Sequence, residues 1–163
     1  MANKIYQIAE TSLSFKNTGG DITLTLTSVG SGAGRISAEY DKGAGAKWTK
    51  ARIWLKTKSA TQTVVGQAYL LFTTMSDGTN RSNALGASDA AVSSANDTLN
   101  LNPALVATIY DASSTPEACV YTGICLIPSR QFSVVFWNAT DDALSATAGD
   151  HEVIIEPIVD EIQ

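Results

Sequence analysis

The sequence predicts an all-β protein, an antiparallel β-sandwich of about eight or nine strands, jelly-roll-like, with one long loop excursion. Three observations predict it. Short segments rich in β-branched and aromatic residues follow one another, turn-forming residues separate them, and no segment has a strong apolar stripe at helical spacing. An immunoglobulin sandwich fits less well, because its Cys…Trp…Cys spacing is absent. The 163 residues suit one domain, residues 1–163, with a sizeable core.

Each predicted strand rests on alternating apolar and polar side chains or on a β-branched run. The clearest alternation covers residues 22–29, where isoleucine and leucine alternate with threonine. Gly66 predicts a bulge, Pro157 suggests that the last strand lies at an edge, and residues 128–130 predict a hairpin-like connection. The other predicted strands lie at residues 5–15 (one or two strands), 35–40, 52–58, 64–75, 104–111, 118–127, 131–139 and 151–159.

The long excursion covers about residues 76–100, which are rich in small and turn-forming side chains. Within it, residues 88–95 are expected to form at most one helical turn, capped by Ser88 or Asp89. Loops of this length commonly carry binding or assembly contacts.

The glycine-rich segment Thr27–Trp48 raises the question of a nucleotide site. No Gly-Lys-Ser or Gly-Lys-Thr triplet occurs in the chain, so the P-loop pattern is absent. The glycines at 30, 32 and 34 also lack G-x-G-x-x-G spacing, and no helix is predicted after them to receive a phosphate. The segment therefore favours turn–strand–turn over phosphate binding, with glycine where a tight reversal needs a positive φ.

Composition excludes several classes of function. A net charge of −5 argues against binding nucleic acid through a basic face. The basic residues concentrate at 47–58, which predicts a solvated strand face or a patch for an acidic partner. No apolar run is long enough to cross a bilayer and residues 1–10 lack a signal-peptide core, so we expect synthesis in a cytoplasm and no membrane partner.

Three residues are candidates for nucleophilic or metal chemistry. Cys119 and Cys125 lie six residues apart, which on an extended strand is about 20 Å and too far for a disulfide unless the chain reverses between them. We expect both to be small buried apolar residues. His151, the one histidine, is expected to be exposed at the start of a strand, and a site needing two histidines is excluded by count. No catalytic residue, cofactor or metal is assigned.

The acidic residues offer two further hypotheses. Asp141 and Asp142 indicate either a weak calcium site in a loop or a solvated turn, although the EF-hand pattern is absent. Acidic residues concentrate at 141–160, and the basic residues at 47–58. This asymmetry suggests a head-to-tail or side-by-side contact with a partner.

Two regions resemble a known group of proteins. They are NTGGDITLTLTSVGSGAGRISAEYDKGAGAKW near the start, and FSVVFWNATDDALS with EVIIEPIVDEIQ at the end. Both resemble small proteins encoded among the virion structural genes of tailed bacteriophages, whereas residues 76–115 match no pattern. The resemblance implies a capsid decoration (cement) protein that sits on the outer shell as a homotrimer. It implies no catalytic or binding residues.

We therefore expect a non-enzymatic protein of the virion capsid surface, made in the host cytoplasm. Its expected partners are the major capsid protein and further copies of itself, with no nucleic acid. Tryptophan and arginine are frequent anchors at interfaces, so contacts are predicted on the basic–aromatic strand and at the N-terminus, with core or plain surface as the alternative. The predicted contact residues are Ala2, Asn3, Lys4, Tyr6, Trp48, Arg52 and Trp54.

Two other functions stay open at this point. One is a tail or fibre component that recognises a host glycan through exposed aromatics and loop carboxylates. The other is a small hydrolase that uses Cys119, Cys125 or His151.

Overall fold

The computed structural model describes residues 5–61, 64–75, 88–92, 103–111 and 115–162. These residues form two six-stranded sheets that pack face to face, so the prediction of an all-β antiparallel sandwich is confirmed. One 3₁₀ turn covers Ala148–Asp150. The strands are β1 (Ile5–Ala9), β2 (Leu13–Lys16), β3 (Ile22–Thr23), β4 (Ala33–Ile36), β5 (Tyr40–Asp41), β6 (Lys50–Thr57), β7 (Val64–Met75), β8 (Ala90–Val92), β9 (Pro103–Asp111), β10 (Cys119–Leu126), β11 (Gln131–Thr140) and β12 (Glu152–Ile162).

Sheet A has the order β10-β6-β12-β2-β3, and β1 pairs with the far end of β12. Sheet B has the order β8-β4-β11-β7-β9, and β5 pairs with β11. Every pairing is antiparallel except the short one between β2 and β3. The count exceeds the predicted eight or nine for three reasons. The segment at 5–15 holds two strands, β1 and β2; the predicted strand at 35–40 is replaced by the separate strands β4 and β5; and β8 forms within the excursion.

Eight of the strands form two interleaved four-stranded runs, β2-β12-β6-β10 and β4-β11-β7-β9. Numbered one to eight along the chain, these runs read 1-8-3-6 and 2-7-4-5. Consecutive strands of this set therefore cross between the sheets, apart from the hairpin-like pair β7 and β9. The edge strands β9 and β10 lie beside each other on one side of the sandwich.

An aromatic cluster around Phe132 forms the centre of the core. The Phe132 side chain is fully buried, and the ring centroids of Tyr40, Phe72 and Trp48 lie 5.6, 5.7 and 6.0 Å from its own. These rings meet edge to face, the arrangement that aromatic quadrupoles favour. The same cluster includes inward side chains of β6, β10 and β12, so it joins both sheets.

The predicted strand at 22–29 is wrong beyond its first two residues, although its pattern of burial is right. Leu24 and Leu26 point into the core as the alternation predicts. Their backbone does not join a ladder, because Leu24 N–H bonds to the Lys16 carbonyl, and Thr25 N–H bonds to the Asp89 carboxylate. The alternation therefore predicted correctly which side chains are buried, but it did not predict that the backbone leaves the sheet after Thr23.

Two predictions about strand connections are also wrong. Residues 128–130 do not form a hairpin, because β10 pairs with β6 in sheet A and β11 lies in sheet B. Pro157 is not on an edge strand, because β12 has β6 on one side and β1 and β2 on the other. Its carbonyl accepts a bond from Glu10 N–H, and the missing N–H of proline faces the same side, in the gap between β1 and β2.

The described part of the excursion is a strand and not a helical turn. Residues 90–92 form β8, which pairs with β4, and residues 93–95 lie outside the described part of the chain. Asp89 caps no helix; its carboxylate lies 2.8 Å from the Arg35 guanidinium.

The bulge predicted at Gly66 lies elsewhere in β7, because the pairing register with β9 shifts between Leu70 and Leu71. Gly66 instead adopts φ 144°, at a position where the backbone of Thr140 approaches closely.

Candidate interaction surfaces

The structure places the predicted contact residues in different environments. Trp48 is only 8% exposed and packs in the aromatic cluster, so its side chain is not available to a partner. Lys42 Nζ lies 3.8 Å from the centroid of the Trp48 ring and donates to the Trp48 carbonyl. Burial lowers the pKa of Lys42 to about 8. Trp48 thus closes the core at one end of the sandwich.

Arg52 and Trp54 lie on the outward face of β6, as an interface role requires. Arg52 Nη1 donates to Glu156 Oε2 at 2.8 Å, and its guanidinium lies 5.5 Å from the centroid of the Trp54 ring. Tyr6 is 44% exposed on β1. Ala2, Asn3 and Lys4 lie outside the described residues. The interface assignment of Arg52, Trp54 and Tyr6 stays a prediction.

The opposite charges of 47–58 and 141–160 meet within one chain. Strands β6 and β12 are neighbours, so their outward side chains face each other across the pair. Lys50 Nζ lies 2.8 Å from Asp160 Oδ1, alongside the Arg52–Glu156 pair. These intrachain ion pairs account for the two charged segments without another chain. A partner contact made by these charges stays a prediction.

Exposed large hydrophobic side chains mark three surfaces among the described residues. The arm surface, on β1, comprises Ile5, Tyr6 and Ile8. The edge surface, on β10, comprises Val120, Ile124 and Leu126. The sheet B surface, on β7 and β9, comprises Val65, Val106 and Tyr110. Exposed apolar groups that cluster in this way typically mark sites of interaction.

The edge surface follows from the pattern of β10. Val120, Ile124 and Leu126 are 61, 69 and 74% exposed, whereas the alternate residues Tyr121 and Cys125 face the core. All eight residues of β10 are uncharged. Beside this surface lies a shallow groove of about 400 Å³, lined by Ser12, Trp54, Lys56, Val120, Glu152 and Ile154. Sequence reasoning missed this surface, although an uncharged strand with apolar residues on both faces was visible.

The arm surface projects where sheet A narrows to two strands. β1 pairs with β12 through residues 158–162, beyond the pairing of β6, which ends at Ile158. All five residues of β1 are exposed. Ile5 and Ile8 have opposite parity in the strand, so both faces of the arm present an aliphatic side chain.

The environments of the two cysteines and the histidine disfavour nucleophilic chemistry. Both thiols are free, and burial raises the pKa of Cys125 to about 12 and that of Cys119 above its usual value. A thiol held protonated is a poor nucleophile. The expectation of an exposed His151 is wrong: the ring is 3% exposed, its Nε2 lies 2.9 Å from the Ser145 carbonyl, and burial lowers its pKa.

The motif WNATDD serves the fold. Asn138 is fully buried; its amide nitrogen donates to the carbonyls of Val29 and Asp142, and its Oδ1 accepts from Thr140 N–H and Oγ–H. Asp142 Oδ2 accepts from Thr61 N–H and Oγ–H, and Asp141 Oδ1 from Val65 N–H. Across the described residues, no cluster of three or more acidic, histidine or cysteine side chains is placed to hold a metal.

The glycine-rich segment forms turns, as predicted. Gly32, Gly43 and Gly45 adopt positive φ. Gly34 has another reason: a Cβ there would lie 2.7 Å from the Phe136 carbonyl oxygen and from the Trp137 ring.

The chain was compared with protein families, curated proteins and solved structures. No protein-family model, curated protein or solved structure matches the chain. Within the described ranges, no helix has the length and apolar character needed to span a membrane.

Proposed function

We propose that the chain is a decoration protein of a tailed-phage capsid, which binds the outer shell as a homotrimer and bridges neighbouring capsid subunits. The resemblance of its first and last thirds to phage virion proteins motivates the proposal. The observation that carries it is the apolar groove beside Trp54, together with the exposed hydrophobic side chains of the arm and edge surfaces. Such surfaces suit a protein that acts through contacts with several neighbours at once.

The strand order supports this role. We propose that the runs 1-8-3-6 and 2-7-4-5 represent a jelly roll, the double-sheet arrangement found in viral capsid and lectin domains. The architecture gives two outer sheet faces, and it buries the aromatic cluster between the sheets. A rigid body loses little conformational freedom on binding, so weak contacts remain useful.

We assign the capsid contact to the groove beside Trp54. Its apolar walls, Trp54, Val120 and Ile154, can take an apolar side chain of the shell. Lys56 and Glu152 at its rim can orient polar groups. One such contact is weak, but a trimer that engages three subunits adds effective concentration to each further contact. Bridging then raises the free energy needed to separate subunits, so the shell resists internal pressure and heat.

The proposal is tested by the copy number of the protein in purified virions. Quantitative mass spectrometry against the major capsid protein should give a ratio near one copy per capsid subunit, or one trimer per local threefold axis. A handful of copies per particle would instead place the protein at the tail or portal vertex and overturn the decoration role.

The groove is tested separately by Trp54→Ala, which should weaken binding to particles that lack the protein while leaving the thermal unfolding temperature nearly unchanged. Tyr110→Ala, on the sheet B surface, is the matched control and should bind like the parent protein. Equal binding of Trp54→Ala and the parent would remove the groove from the capsid contact.

A further inference from the structure

We propose that sheet A continues from one copy of this protein to the next: the β1 arm of one protomer binds as an added antiparallel strand along the free edge of β10 of its neighbour. The proposal takes from the proposed function only the expectation that copies associate as a homotrimer. It concerns the free protein in solution and holds whether or not the protein attaches to a capsid.

The acceptor is an edge strand without the usual protection. Edge strands normally avoid pairing with other chains through charged side chains, prolines, bulges or covering loops. β10 has eight residues, no charge and no proline, and its pairing with β6 is regular throughout. Among the described residues no strand pairs with its other edge, which lies beside β9 without a ladder to it. Its backbone groups on that side can accept a strand.

The donor is a strand that sheet A does not support well. Among the described strands β1 pairs only with β12, where β12 no longer has β6 as a neighbour beyond Ile158. A two-stranded ribbon is at best marginally stable in water. β1 nevertheless leaves Ile5 69% and Ile8 41% exposed, on opposite faces. A strand with an aliphatic side chain on each face suits a position that is covered on both sides.

The directions and faces of the two strands match. β10, β6, β12 and β1 alternate in direction, so a rotation about an axis roughly along the strands brings β1 of one copy antiparallel to β10 of the next. The same rotation keeps outward faces outward.

The side chains fit this placement. Opposite residues of an antiparallel pair share a face. Ile5 is therefore on the outward face and would join Ile124 and Leu126 there, while Ile8 would turn inward. Ile8 would then point between the two sheets, on the side where the edge strands β9 and β10 meet and Leu105 Cδ1 packs against Gly123.

The net charge of the chain, and the presence of one donor strand and one acceptor edge in each copy, indicate that the strand added to β10 comes from a second copy. The whole chain carries −5, so two copies repel each other over most of their surfaces. β1 and β10 are uncharged and can approach without that cost. Each copy has one donor strand and one acceptor edge on opposite sides of sheet A, so all are satisfied together only in a closed ring. The homotrimer that the phage resemblance implies is then a ring of three.

The test uses the purified full chain and sedimentation from about 1 μM to about 1 mM, a range that covers weak and moderate affinities. The parent protein should pass from monomer to trimer. Ile124→Lys on the edge surface and Ile8→Lys on the arm should each stay monomeric and folded, with Leu126→Lys and Ile5→Lys as second variants at exposed positions. Val106→Lys, 46% exposed on the sheet B surface, is the matched control and should still form the trimer.

Mixing distinguishes this contact from a twofold contact between two β10 edges. Ile124→Lys keeps an intact arm, and Ile8→Lys keeps an intact edge, so an equal mixture should give a two-chain species at the upper end of the range. Ile8→Lys associating like the parent would show that β10 pairs with itself and overturn the proposal. A parent protein that stays monomeric throughout, or a mixture without the two-chain species, would overturn it as well. A normal trimer with few copies per virion would instead count against the decoration role alone.

Discussion

Strands β6 and β10 lie side by side in sheet A, but the outward face of β6 is charged and that of β10 is uncharged. β6 carries Lys50, Arg52 and Lys56 outward; the first two bind carboxylates of β12, and Lys56 donates to the Gly149 carbonyl. β10 presents only Thr122 and three aliphatic side chains on that face, and its far edge is unpaired among the described residues. The charged strand is satisfied within the chain, and the uncharged one is not.

The sequence suggests an interface at the charged segments, whereas the structure favours the uncharged strand β10. Concentrated charge draws attention to residues 47–58 and 141–160, yet exposed ion pairs of this kind contribute little and leave little unsatisfied charge for a partner. An uncharged strand looks like ordinary core sequence, yet half of β10 faces outward. Unsatisfied backbone edges and apolar area are therefore better indications of an interface here than charge.

The largest effect should come from the layer beneath both strands. Phe132→Ala removes the centre of the aromatic cluster, and it should lower the free energy of unfolding by about 3–5 kcal/mol in urea titration. Ile124→Ala at the exposed edge is the control and should change monomer stability by less than about 0.5 kcal/mol. A similar loss in both variants would mean that β10 is packed more like a core strand than its exposure indicates.

The next effect concerns the motif that the resemblance relies on. Asn138→Ala leaves the buried Thr140 N–H without its acceptor. It also removes one donor each from the Val29 and Asp142 carbonyls, which keep bonds from Leu144 N–H and Thr140 Oγ–H. We expect a loss of at least about 2 kcal/mol in the free energy of unfolding, since an unsatisfied buried polar group costs about 1–3 kcal/mol. Asp141→Asn, which keeps an acceptor for Val65 N–H, should be nearly neutral. An Asn138→Ala variant as stable as the parent would argue against a structural role.

A smaller effect is expected from pH at the start of β12. Burial is the main cause of the lowered pKa of His151, and Lys56 and Lys58 lower it further, while the Ser145 carbonyl and Asp150 oppose the shift. The unfolded chain therefore binds a proton more readily than the fold, and stability should fall as pH drops through 6.5.

The parent's unfolding temperature should decrease between about pH 7.5 and about pH 5. His151→Gln can still donate to the Ser145 carbonyl, and it should show a smaller decrease. The lowered pKa of Asp150 places its own titration below 3.8, outside this window. An equal decrease in the two proteins would assign the pH dependence to other groups.

The smallest effect should come from the ion pairs between β6 and β12. In a double-mutant cycle, Arg52→Ala and Glu156→Ala should show a coupling of at most about 1 kcal/mol that weakens with added salt. Glu161→Ala, at the exposed end of β12, is a charge-matched control for Glu156→Ala. A coupling well above that value would mean that the β6–β12 pairs, and not the core, hold sheet A together.

Local patterns predicted much of this fold and little of its interaction surface. β-Branched and aromatic runs predicted β7, β9, β10 and β11 nearly to the residue, because such runs bounded by turn residues leave few alternatives. Pro157 and residues 128–130 were assigned to the wrong surroundings, since strand neighbours are set by contacts distant in sequence. The burial of His151 depends on the Ser145 carbonyl in a loop. The exposure of Ile124 depends on β10 being an edge, which no local pattern states.

Hydrogen exchange measured by mass spectrometry tests most directly the claim that β10, and not β6, meets another chain. Peptides covering β10 and β1 should exchange more slowly in concentrated than in dilute protein, because amides on their free edges become bonded between copies. Peptides of β6 and β9 should not change, and Ile124→Lys should abolish the effect. Protection that appears at β6 or β9 instead, or exchange of β10 and β1 that is the same at both concentrations, would contradict the account.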